Sequence, residues 1–138
     1  MRIILLSLIL LFYPFQVLAL IPNDPQYPNQ WYLDSIGAPA AWDKTTGSNS
    51  VIVAVLDTGA EFAHPDLTDN IWVNPGEVAF NSIDDDHNGY VDDIYGWDFV
   101  NNKSNPGPDF NQPQTVAGFQ HGTVTAGLIG AAGNNGTD

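Results

Sequence analysis

The stretch VIVAVLDTGAEFAHPDL, residues 51–67, decides how the rest of the chain is read. Its first six residues, VIVAVL, are apolar without alternation. A strand with one wet face alternates, so an unbroken run predicts a strand covered on both faces, as in a parallel sheet. The run ends at Asp57-Thr58-Gly59-Ala60. Open parallel sheets gather their ligands at the carboxyl ends of the strands, so a carboxylate placed there is a candidate working group. Two kinds of work suit it. It can share a proton with a second carboxylate and activate water, or it can hold a histidine in one tautomer and stabilise its charged form.

The composition narrows the choice. The chain has 138 residues and room for one domain. Met1-Arg2, the apolar run Ile3 to Leu11 and the small-residue site Val17-Leu18-Ala19 follow the order of a secretory signal peptide, expected over residues 1–19. Pro14 and Gln16 interrupt the run before it reaches the ~20 residues of a membrane span, so no membrane partner is expected once the leader is cleaved. The formal net charge is −13, and residues 20–138 keep only Lys44 and Lys103 against all 16 acidic residues. Nucleic-acid binding needs clustered Lys and Arg, so that class is excluded. So many carboxylates repel one another in a compact fold unless cations neutralise some of them. With zero cysteines there is no disulfide framework and no thiolate chemistry, although export would permit the former.

Along the chain, IPNDPQYPNQ (21–30) holds three prolines and predicts an extended arm. Pro39 suits a first helical turn continued by Ala40, Ala41 and Trp42, with Gly47 as a stop. Residues 64–111 are rich in Asp, Asn, Gly and Pro and predict loops, with one short strand over 95–100. From His121 the small residues Gly122, Ala126, Gly127 and Gly130 predict a helix able to pack closely inside a domain. A helix–strand–loop–helix order predicts an α/β fold with a parallel sheet, of which this sequence is expected to hold the front portion.

A shared-proton mechanism needs two Asp-Thr-Gly loops, as aspartic proteases have, and the sequence holds one. Of the three histidines, His64 lies close behind Asp57 and His87 lies in an acidic loop. His121 opens the small-residue helix and has the better mount for a base. Five blocks then coincide in order: NDP at 23–25, QWYLDSIGAPAAW at 30–42, the stretch at 51–67, GWDFV at 96–100 and HGTVTAG at 121–127. Together they resemble the first part of the catalytic domain of subtilisin-like serine proteases, the subtilases, with the thermitase-like bacterial members as the nearest kind. The resemblance implies an α/β fold with a doubly wound, mainly parallel sheet and the active site at the carboxyl ends of its strands, with Asp57 as the orienting carboxylate and His121 as the general base. It places the nucleophilic serine in a Gly-Thr-Ser segment and the oxyanion asparagine in another; neither segment occurs in this sequence. Val124 stands where the family repeats a histidine, and no folding propeptide separates the leader from the catalytic blocks.

The run DDDHNGYVDD (84–93) predicts a calcium loop. Asp84, Asp86 and Asn88 take positions 1, 3 and 5 of an EF-hand-like loop, Gly89 the turn, the Tyr90 carbonyl position 7 and Asp92 position 9. Tyr95 stands where the bidentate Glu belongs, so either the affinity is modest or Asp93 substitutes. The resemblance adds a second set, Asp24, Asp66 and the segment around Asn135 and Thr137. The expected function is a secreted, calcium-stabilised serine endopeptidase acting on polypeptides. The competing reading is a non-catalytic calcium-binding module on the same framework. Lacking its serine, the 138-residue sequence is expected to be inactive alone, and robust peptide-bond cleavage by it would overturn that expectation.

Overall fold

The computed structural model describes residues 20–111 and 115–136; the leader expected over 1–19 and the proposed ligand Thr137 lie outside the described residues. Two short helices open the fold, α1 at Trp31–Ser35 and α2 at Ala38–Trp42. They turn on Gly37, whose φ of 72° is left-handed and open to a residue without Cβ. Pro39 sits in the first turn of α2, where its missing N–H costs nothing. The helix ends at Trp42, before Gly47. Instead of a fully extended arm, Tyr27–Asn29 forms a 3-10 turn, and Tyr27 donates its hydroxyl to Asp34 Oδ1 at 2.9 Å.

The long helix, α3, spans Val116–Gly130 and starts earlier than expected. Thr115 caps it by accepting the Gly118 N–H, which satisfies one of the orphan donors of the first turn. His121 therefore stands inside the helix, and not at its start. Val124, Leu128 and Ile129 are exposed, so α3 is not wrapped inside a domain as expected; its buried residue is Gly122.

The sheet expected from the sequence is absent among the described residues. Val51–Leu56 joins no ladder, and Ile52 and Leu56 are 62% and 90% exposed. The cause is the lack of neighbours: a parallel strand is stabilised by hydrogen bonds from both sides and by layers on both faces. The strand expected over 95–100 is reduced to one antiparallel bridge, Asp98 with Lys103.

What holds the loops is polar. Asn74 is buried; its side chain donates to Asp86 and Asp93 and accepts the Gly76 N–H, while its backbone N–H reaches the Ile94 carbonyl at 2.8 Å. Ile94 and Leu67 are the buried apolar anchors of this region. The segment after α3 returns to the loop before it: Ala132 donates to the Asp66 carbonyl, and Asn70 donates to that of Gly130.

The closest approach is between glycines. Gly59, at φ 101°, lies between Gly107 and Gly122; a Cβ on Gly122 would overlap the Gly59 backbone, and one on Gly59 would come within 2.6 Å of Gly107. Gly122→Ala is therefore expected to push α3 off the turn after Asp57 and to lower the melting temperature of the full-length protein by a cost of about 1–3 kcal/mol. An unchanged melting temperature would show that the contact is dispensable.

Candidate functional site

The site is built on the turn at the end of the apolar run and on one face of α3. The Asp57 side chain is 12% exposed, that of His121 68%. His121 Nδ1 lies 2.8 Å from both Oδ1 and Oδ2 of Asp57. An ionised carboxylate only accepts, so the pairing puts the ring proton on Nδ1 and leaves the Nε2 lone pair available as a base. The Asp57 carboxyl is held below its ordinary value, first by the Thr58 backbone N–H at 2.7 Å and then by the His121 ring.

Two threonines complete the arrangement, and the residue-by-residue sequence reading missed both. Thr58 donates its hydroxyl to the Gly118 carbonyl at 2.7 Å and accepts the Gly122 N–H at 3.3 Å, so one side chain ties the Asp57 turn to α3. Thr125 Oγ1 lies 3.2 Å from Asp57 Oδ2 and 2.9 Å from the His121 carbonyl. The spacing from His121 to Thr125 is one helical turn, which was the available signal for Thr125. His64 and His87 are elsewhere: His64 Nδ1 accepts the Asp66 N–H, and His87 Nδ1 contacts the Asp84 carbonyl at 2.8 Å.

In the acidic loop the carboxylates of Asp84 and Asp86 gather with that of Glu77, their oxygens within 4.8 Å of one another. Glu77 lies outside the run, and nothing in the spacing pointed to it. It accepts the N–H groups of Asp85, Asp86 and Asp92, which wraps the loop around it. Asn88 donates its N–H to both Asp84 Oδ1 and Asp86 Oδ1, and Gly89, at φ 96°, donates to Asp84 Oδ2. Asp92 turns aside from this group to accept the N–H groups of Asn81 and Ser82. The Tyr90 ring packs on Trp97 and Phe99, while its N–H donates to Asn88 Oδ1. Asp93 accepts from the side chains of Asn74 and Asn88.

The second set of residues meets across the chain. Asp24 accepts the N–H groups of Asn134 and Gly136, at 2.9 and 3.2 Å. The Asn135 side chain donates to Asp66 Oδ1 at 2.8 Å, and Asn23 donates to Asn134 Oδ1. The arm, the His64–Leu67 loop and the segment behind α3 are thus joined at one place. Asp98 accepts from the backbone and side-chain N–H groups of Asn101 and lies 3.7 Å from Lys103 Nζ.

Residues 48–138 match the subtilase family, Peptidase_S8. Subtilisin-like protease 1 of Plasmodium berghei (strain Anka) is 41% identical over 117 residues, which are 82% of this chain and 18% of that protein. Halolysin of Haloferax mediterranei is 33% identical over 113 residues, 82% of this chain and 17% of its own length. Human furin is 32% identical over 120 residues, 83% and 12% respectively. The chain thus spans less than a fifth of the length of each of these relatives. They place it in the family at large and carry nothing specific to the thermitase-like bacterial branch. With an aspartate after an apolar run bonded to a histidine on a helix, and with the greater part of its length matched, the chain belongs to the subtilase family of serine peptidases.

Proposed function

We propose that this chain supplies the aspartate and histidine of a secreted serine endopeptidase whose serine and oxyanion donor come from sequence beyond that given. The observation that carries the reading is the contact of His121 Nδ1 with both Asp57 oxygens, within a chain of this family. In the reaction His121 Nε2 takes the proton of the serine as the serine oxygen bonds to the substrate carbonyl, and later returns it to the leaving amine. Asp57 fixes the tautomer and steadies the imidazolium. Thr58 and α3 hold the two at bonding distance. Secretion is supported by the residue order over 1–19 and by a relative named as an extracellular serine protease, from Natrialba magadii. No helix among the described residues is long and apolar enough to cross a membrane.

Calcium fits as a structural ion at two places. Asp84, Asp86 and Asn88, with Glu77, offer convergent hard oxygens in a chain with a large excess of negative charge. Asp24, Asp66 and Asn135 offer a second set that would clamp the arm to the domain. Bound cations there relieve repulsion; they take no part in the acyl transfer.

Three outcomes test these assignments. In the full-length protein, Asp57→Asn is expected to lower kcat for an unstructured polypeptide by about 10⁴-fold, because the amide favours the wrong tautomer. Unaltered cleavage by Asp57→Asn or by His121→Ala would reject the reading. The Asp57 carboxyl sits below its ordinary 3.8, so the stability its ionised form contributes is fully present above that value and is lost as pH falls through the lower folded-state one. The stability gap between wild type and Asp57→Asn, measured by chemical unfolding, is accordingly expected to be flat above about pH 5 and to shrink below about pH 4. Calcium at about a hundred times its Kd is expected to stabilise by about 2.7 kcal/mol and raise the melting temperature by several degrees, with EDTA reversing it. Loss of part of the shift in Asp84→Asn and in Asp24→Asn would separate the two sites, and no shift in the wild type would remove both.

A further inference from the structure

Beside α3 there is a cavity of about 350 Å³, lined by Glu61, His64, Phe110, Phe119, Gln120, Val124 and their neighbours. That volume is within the range of small ligand sites. Its walls are mostly apolar: Phe110 and Phe119 pack with ring centroids 5.3 Å apart, and Val124 is exposed beside them. Gln120 precedes His121, and Thr123 and Val124 follow a turn after Gln120, so the helix presents this face next to the base.

Glu61 gives the cavity its charge. Its backbone N–H donates to Thr123 Oγ1 at 3.1 Å, which fixes the loop carrying it to the same helix that carries His121. Its carboxylate has no ion pair among the described residues, and neither lysine lines the cavity. His64, at the cavity wall, is tied to its own loop, its Nδ1 accepting the Asp66 N–H at 3.2 Å. An apolar wall ending in a lone carboxylate is complementary to a side chain with a long aliphatic stem and a cationic head.

We propose that this cavity is a substrate subsite for a lysine or arginine side chain of the polypeptide, with the stem on Phe110, Phe119 and Val124 and the charge on Glu61. The assignment rests on the proteolytic reading above, because Gln120 and Val124 of the cavity wall flank His121 on α3. It makes Glu61 a specificity-determining residue bound mechanically to the helix of the base. Val124 is then a wall residue of the subsite: a larger or charged group there would shorten or repel the stem.

The test uses the full-length protein and a peptide library in which each position in turn carries Lys, Leu or Glu. At one position the wild type is expected to prefer Lys to Glu, Glu61→Gln to lower that ratio about fivefold, as loss of one partly exposed ion pair does, and Glu61→Lys to invert it. The Gln variant keeps the backbone bond to Thr123, so its fold is preserved. Equal Lys-to-Glu ratios for wild type and Glu61→Gln at every position would overturn the subsite while leaving the protease reading intact. If the wild type cleaves no peptide, the protease reading fails, and fluorescence anisotropy with a labelled Lys-bearing peptide decides the subsite alone. Binding several-fold tighter by wild type than by Glu61→Gln upholds it; equal binding overturns it.

Discussion

The contact between Asp57 and His121 depends on how closely α3 can approach the turn that follows Asp57. The approach is made of two glycines and one hydroxyl. Gly122 and Gly59 present bare backbone to one another, and Thr58 fills the remaining hydrogen-bonding needs by donating to Gly118 and accepting from Gly122. Moving the helix outward by the width of a methyl group would break the threonine bonds and pull His121 from Asp57 together. The small residues of HGTVTAG therefore serve distance, and the poor helix propensity of glycine is the cost of that closeness.

The same geometry explains why an exposed pair can be well defined. His121 is largely open to solvent, where an ion pair alone contributes little. Here the carboxylate is oriented before the ring arrives, by the Thr58 N–H and by the reach of Thr125 Oγ1. The aspartate is thus prepared by its own turn and by the helix, and the histidine meets a fixed acceptor. Such preorganisation lets the ring stay largely exposed without loosening Nδ1.

The pairing of Asp57 with His121 was legible in the sequence to a greater degree than the architecture. Asp57 and His121 could be paired because residue type and local context, a carboxylate behind an apolar run and a histidine ahead of small residues, are properties of short segments. The sheet was not, since a strand is a relation between segments, and Val51–Leu56 finds no partner among the described residues. Family membership implies an α/β fold in which such a run is covered, and its 90% exposed Leu56 shows what that cover has to bury. The start of α3 was misplaced for a different reason: the cap, Thr115, lies ahead of a Val-Ala-Gly stretch with no helical periodicity to announce it. Glu77 stayed hidden because its role depends on three backbone N–H groups folding back onto it.

The two acidic places differ in what they do mechanically. Around Glu77 the loop is closed on itself by short-range bonds, so a cation there would stiffen a segment already shaped. Asp24 instead joins pieces more than a hundred residues apart in sequence, and Asp66 a piece 69 residues away, both through the segment behind α3. Closing a long loop removes more conformational freedom from the unfolded chain than closing a short one, although the gain grows only logarithmically. The larger difference is positional. Asp66 follows the turn that bears Glu61 and His64, and the segment it holds is the continuation of α3. A cation bound by Asp24, Asp66 and Asn135 would therefore clamp the segment behind α3 to the loop that follows Asp57, so its contribution would reach the Asp57–His121 pair without touching it.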